Sequence, residues 1–214
     1  MLKLWGRINS INVQKVLWVL DALGCTYQRE DAGLQFTANK TADFLAKNPN
    51  GRVPLLEDAG YQIWESHSIC RYLCNTQPSS EASRQVAERL YPVDAQKRGQ
   101  VDQWLDWTLW GISAPMVVVF RQRVRLKPEQ QEPLRIAEAE EESRSHLVVA
   151  DQRLRESDFL AGNQITLADI GLAPTAYRAE SLGLFADDQV GLKRWMERLR
   201  QDPGFRKWVD VPMT

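Results

Sequence analysis

Asn50-Gly51-Arg52-Val53-Pro54-Leu55-Leu56-Glu57-Asp58, followed shortly by Trp64-Glu65-Ser66-His67-Ser68-Ile69, is the stretch on which the reading of this chain turns. A proline has no amide hydrogen to give a strand ladder, so Pro54 belongs at a strand entrance or in a strained turn, where a cis bond costs least. A strand over Pro54 to Glu57, a turn around Ala59-Gly60 and a strand over Tyr61 to Trp64 make a hairpin. Glu65 and Ser66 then stand where the helix containing Ile69-Cys70-Arg71-Tyr72-Leu73 presents unpaired backbone donors. Such a helix start holds an anion well.

Working outward, Leu2 to Trp5 reads as a strand and Arg7 to Ser10 as a polar turn. Asn12 to Leu23 reads as an amphipathic helix with Val13, Val16, Leu17 and Leu20 on one side, ended by Gly24. Thr26 to Glu30 is a second strand, Ala42 to Lys47 a short helix, and Ser66 to Asn75 the helix after the hairpin. The order β-α-β-α-β-β-α, with a right-handed crossover making the first two strands parallel, is that of an α/β thioredoxin-like domain. Gln77-Pro78-Ser79-Ser80-Glu81 carries the breakers of a linker, and no strand pattern follows it. Val86 to Trp110, Met116 to Arg125, Glu132 to Arg155, Leu167 to Ser181 and Val190 to Gln201 read as helices. The expected division is 1–77, a linker over 78–86, and an all-α domain over 87–214.

Composition excludes several classes of function. With 27 basic and 28 acidic residues in 214, there is no electrostatic case for nucleic acid or an anionic membrane surface. No apolar run approaches the roughly 20 residues of a membrane helix. The opening Met1-Leu2-Lys3-Leu4-Trp5-Gly6-Arg7 reads as an immediate strand rather than a secretory signal. Cys25, Cys70 and Cys74 form neither an even disulfide set nor a Cys-x-x-Cys pair, which suits a reducing cytoplasm. His67 and His146 have no second histidine or cysteine at metal spacing, so no metal is expected.

The Val53-Pro54 segment followed by Glu65-Ser66 resembles the glutathione-binding half of the glutathione transferase family. Phe159-Leu160-Ala161-Gly162-Asn163-Gln164-Ile165-Thr166-Leu167-Ala168-Asp169-Ile170 extends the likeness. Thr166 and Asp169 have capping-box spacing, similar to the box that opens a buried helix in that family. Its role is structural, which leaves Asp169 outside the active site. The resemblance implies the two-domain fold of the family, glutathione as co-substrate, a small electrophile as second substrate, and a homodimer.

Residue by residue, the resemblance implies that Val53, beside Pro54, pairs through its backbone with the cysteinyl part of glutathione. Glu65 and Ser66 receive the γ-glutamyl end, and Lys40 meets the glycyl carboxylate. Asp106 resembles a residue offered across a dimer interface. Arg7, Trp107, Trp110, Met116 and Phe120 are candidates for the electrophile pocket, expected between the two domains.

The thiol needs a hydrogen-bond donor near a helix start, and Gly6 to Val16 is the segment with both. Ser10 resembles the serine of theta-like bacterial members, which donates to the sulfur. Asn12 is the alternative, and either residue could instead cap the helix. No tyrosine lies along Leu2 to Val16, and no cysteine stands at the position of the beta-type and omega-type members, which argues against reduction through a protein thiol. Glutathione-dependent peroxide or disulfide reduction, and a non-catalytic binding or scaffold role on the same fold, are the competing readings.

Overall fold

Leu2 and Leu4 are buried while Lys3 and Trp5 between them are partly exposed, the period of two that makes strand β1 (Leu2–Trp5). The computed structural model describes residues 1–213 and places β1 inside a four-stranded sheet of order β2-β1-β3-β4. Helix α1 (Ile11–Ala22) carries the chain over to strand β2 (Tyr27–Glu30), which pairs with β1 in parallel. Strand β3 (Leu55–Asp58) runs antiparallel to β1 and forms a hairpin with β4 (Tyr61–Trp64), turned by Ala59 and Gly60 at φ 48° and 94°. Positive φ at both central residues matches the right-handed twist of the strands. The chain divides into two compact units, Met1–Pro92 and a second beginning at Val93.

In the first unit, helix α2 (Ala42–Lys47) lays Phe44 against Leu55, Ala32, Trp5 and Val53 on one face of the sheet. Leu4 and Leu56 are cross-strand partners on the opposite face and are fully buried. Helix α3 (Ser66–Thr76) packs on α1 there, and α1 is buried at every position from Val13 to Leu20. Helix α4 (Glu81–Leu90) follows, capped by Ser80.

The described regular elements of the second unit are helices: α5 (Ala95–Trp110), α6 (Ser113–Phe120), α7 (Pro133–Glu156), α8 (Leu167–Ser181), α9 (Val190–Leu199) and α10 (Pro203–Trp208). A π-helical stretch, Arg121–Arg125, extends α6. Asp169 organises the start of α8. Its buried carboxylate accepts from the amides of Leu160 and Thr166 at 3.0 and 2.9 Å, the Thr166 hydroxyl at 3.2 Å and Trp195 Nε1 at 2.9 Å. The capping box read from the sequence is formed. Gly191 lets α9 meet α7, since a Cβ there would lie 2.7 Å from the Asp151 carbonyl oxygen.

The order β-α-β-α-β-β-α and the helical second half agree with the sequence reading, and three helix readings are corrected. The expected single helix from Val86 to Trp110 is two, because Pro92 cannot continue α4 and Asp94 caps α5 by accepting from the Lys97 amide at 3.0 Å. The stretch 78–86, read as connecting chain, includes the first turns of α4. Helix α10, unread from the sequence, is started by Asp202, which accepts from the amides of Gly204 and Phe205.

Thr166→Ala is expected to lower stability by about 1 kcal/mol through the lost cap. Asp169→Ala, which strands buried donors on Leu160, Thr166 and Trp195, is expected to cost about 3 kcal/mol or more. Urea unfolding midpoints would rank the two, and equal losses would refute the role of the carboxylate as a hub.

Candidate active site

Trp5, Leu55 and Trp64 form one cross-strand row, and Glu30 of β2 faces Trp5 in the same register. At that row β1, β2 and β4 end and β3 begins. The segments beyond it, Gly6 to Ser10, Asp31 to Gly33, Val53-Pro54 and Glu65, therefore leave the sheet at one end. The Val53–Pro54 bond is cis, as its position at the strand entrance suggested. Gly33 lies against this corner, since a Cβ there would stand 2.8 Å from Arg7 Nη1 and 3.3 Å from Val53 Cγ2. Buried Asn39 ties the loops together, accepting from the Gly33 amide at 3.1 Å and donating to the Gly51 carbonyl at 2.6 Å.

Gly6 has φ 155°, and a Cβ there would collide with Val13, so glycine allows the start of α1 to close onto the end of β1. Ser10 takes the N-cap position of α1, with its carbonyl accepting from the Gln14 amide at 2.9 Å. Its hydroxyl makes no cap bond and has no protein partner among the described residues. Asn12 Oδ1 accepts from Lys15 Nζ at 3.1 Å and, more weakly, from the Ser66 hydroxyl at 3.4 Å, joining the starts of α1 and α3. Lys15 Nζ also lies 3.1 Å from His67 Nε2, and both side chains are buried. Glu65 is the N-cap of α3, exposed, at φ 72°, with no side-chain cap. A non-glycine residue held in this region is the kind of local strain that accumulates at functional sites.

Ser10, Asn12, Glu65, Ser66, Val53, Pro54 and Arg7 are thus gathered at one end of the first unit's sheet. Lys40 is exposed at the end of a 3-10 turn, Thr37–Lys40, immediately after Asn39. The remaining candidates belong to the second unit. Asp106 is exposed on α5, Trp107 is half-buried, and Trp110 is 70% exposed. The rings of Trp107 and Trp110 stand edge-on to His146 at 5.9 and 6.0 Å. Met116 and Phe120 are buried, and Phe120 is covered by the guanidinium of Arg178 at 3.7 Å.

Sequence reasoning passed over Asn39, Lys15 and His67 as site residues. The available signal for Lys15 was a lysine inside a helix segment otherwise almost wholly apolar, from Val13 to Leu20. Cys70 and Cys74 are buried on α3, and burial pushes the Cys70 thiol up to about 12 and raises that of Cys74 as well. Neither has the character of a nucleophile. No group of three metal-ligating side chains is assembled among the described residues, and no described helix is long and apolar enough to cross a membrane.

Residues 1–75 match the family described as glutathione S-transferase, N-terminal domain, and residues 112–203 the corresponding C-terminal domain. Over the full length of both chains, the protein is 34% identical to the glutathione S-transferase GstB of Escherichia coli strain K12. The chain belongs to the glutathione S-transferase family. Among solved family members, a theta class enzyme from Xanthomonas axonopodis pv. citri with glutathione bound superposes with a TM-score of 0.89. The two are 32% identical, over 100% of this chain and 99% of that one. A glutathione S-transferase from Pseudomonas fluorescens Pf-5 gives 0.83 at 27% identity, over 99% and 98%. Family membership and the family fold, both expected from the resemblance, are borne out.

In this family member the Cys70 thiol stays neutral while folded and ionises freely once unfolded. Its contribution to stability is therefore intact below the ordinary thiol pKa of 9.0 and is lost as pH rises toward about 12. The urea midpoint is expected to fall as pH climbs above that ordinary value, and to fall less steeply in Cys70→Ala. A thiol reagent applied to the folded protein should label half-buried Cys25 ahead of Cys70 and Cys74. Rapid labelling of all three would contradict the burial.

Proposed function

We propose that the protein is a glutathione transferase that binds glutathione where α1 and α3 begin, holds its thiol as the thiolate, and delivers it to a small electrophile. One observation carries the reading: the adjoining starts of α1 and α3, neither closed by its own N-cap side chain, linked through Asn12 and Ser66 at the end of the sheet that bears the cis Val53–Pro54 bond. Two uncapped helix starts supply amide donors and positive dipole ends to one place. Glutathione brings two carboxylates and a thiolate to such a place.

A thiol of pKa about 8.5 is only a few per cent ionised at neutral pH. Lowering it by about two units takes roughly 2.7 kcal/mol of preferential anion stabilisation. One hydrogen bond to the charged sulfur, worth about 1.5–3 kcal/mol, together with the field of a helix start, is sufficient. The Ser10 hydroxyl and the Asn12 amide are the donors at hand, and both are free of protein acceptors among the described residues. Binding energy from the rest of the tripeptide holds the sulfur in place. The Val53 backbone takes the cysteinyl unit beside Pro54, Glu65 the α-ammonium, the backbone amide of Ser66 at the α3 start the α-carboxylate, and Lys40 the glycyl carboxylate.

Within the second unit, Trp107 and Trp110 on α5 are the aromatic side chains with exposed surface to offer an electrophile, while Met116 and Phe120 are buried. We further place the protein in the cytoplasm as a homodimer, with Asp106 of the second copy offered to the γ-glutamyl amine. Three free cysteines suit a reducing compartment.

A pH titration of the ultraviolet thiolate absorbance of bound glutathione tests the reading. The bound thiol is expected to titrate at least about one unit below the free one, and glutathione that fails to bind would overturn the assignment. Ser10→Ala should cut turnover at least about tenfold with affinity for glutathione largely kept. Unchanged turnover would remove Ser10 from the role.

A further inference from the structure

The orientation of the Asn12 amide follows from the chemistry of its neighbour. An ammonium only donates, so the Asn12 atom 3.1 Å from Lys15 Nζ is the carbonyl oxygen and not the NH2 group. The Ser66 hydroxyl donates to the same oxygen. The NH2 group therefore faces away from Lys15, and among the described residues no protein acceptor meets it.

Lys15 is held in its turn. It is 1% exposed and His67 2% exposed, and their nitrogens are 3.1 Å apart. Two buried cations at that distance would repel strongly, so the imidazole is neutral and Nε2 accepts from the ammonium, with the ring proton on Nδ1. Burying an ammonium is costly, and an apolar side chain of similar length would fill the same space without desolvating a charge. Stability alone is thus a poor account of a lysine at this position.

We infer that Lys15 is a positioning residue for the thiol site: clamped by His67, its buried ammonium fixes the Asn12 amide with Oδ1 inward and leaves Nδ2 as a preset donor to the glutathione sulfur. The inference rests on glutathione binding as proposed above. Lys15 itself touches no ligand, and its effect passes through Asn12. Presetting the amide spares the site the cost of ordering a side chain when the ligand arrives.

The test uses the full chain with and without glutathione. In the free protein, the Asn12 side-chain NH2 resonances, identified by their loss in Asn12→Ala, are expected to lie apart from solvent-exposed asparagines and to move among them in Lys15→Met. With glutathione bound, Lys15→Met and Asn12→Ala should each raise the pKa of the bound thiol by about one unit. The double variant should raise it no further. His67→Leu should behave like Lys15→Met, while His67→Gln, which returns an acceptor near the place of Nε2, should recover most of the loss. These two variants decide the matter if Lys15→Met does not fold. Unmoved Asn12 resonances, or additive shifts in the double variant, would overturn the positioning role. Glutathione that does not bind the unaltered protein would remove the sulfur contact, and the free-protein resonances would still show whether the clamp exists.

Discussion

The cross-strand row Trp5, Leu55 and Trp64 is the constraint on which the site depends. Because β3 is antiparallel to both β1 and β4, the exits of β1 and β4 and the entrance of β3 fall at one end. The parallel pairing of β2 brings its exit there too. Each loop then needs only a few residues to reach the others. Asn39, bonded to both Gly33 and Gly51, holds two of these loops at fixed separation. A one-residue slip in the register of β3 would turn Leu56 outward and carry Val53-Pro54 away from Arg7 and Gly33.

Within the first unit the helix starts are of two kinds. Helices α2 and α4 are closed by Thr41 and Ser80 in the ordinary way. Helix α1 begins at Ser10, a residue well suited to capping, yet the hydroxyl is not used for it. Helix α3 begins at Glu65, whose exposed carboxylate and positive φ serve no capping purpose. Omitting a cap costs a helix about 1 kcal/mol, and here it is omitted at two adjoining starts. A bound anion would return that stability, which couples ligand binding to the rigidity of α1 and α3.

The two units treat buried charge differently. Asp169 is surrounded by four donors and gathers a loop, a helix start and Trp195 into one rigid point. Lys15 and His67 instead share a bond between two helices and pass orientation to Asn12, a side chain with an unfilled donor. Saturated hydrogen bonding suits a structural hub. A donor left over beside two uncapped helix starts suits ligand binding.

Much of this architecture was legible in the chain, because its signals are local. Alternation marked the strands, Pro54 marked a strand entrance, and Thr166-x-x-Asp169 marked the start of α8, each readable within a few residues. The breaks at Pro92 and Asp94 carried local signals of the same sort, which the helical periodicity outweighed, and the Asp202-Pro203 start of α10 carried one that went unread because the helix it opens is only two turns long. The Lys15–His67 contact, 52 residues apart in the chain, and the bond from Ser66 to Asn12 had no such signal. They exist because α1 and α3 pack side by side on one sheet face, which brings their first turns together. The sequence by itself determined the elements, their order and the positions of the polar side chains at their ends. Only the tertiary structure decided which of those side chains meet, because a buried hydrogen bond depends on interhelical placement to within a fraction of an ångström.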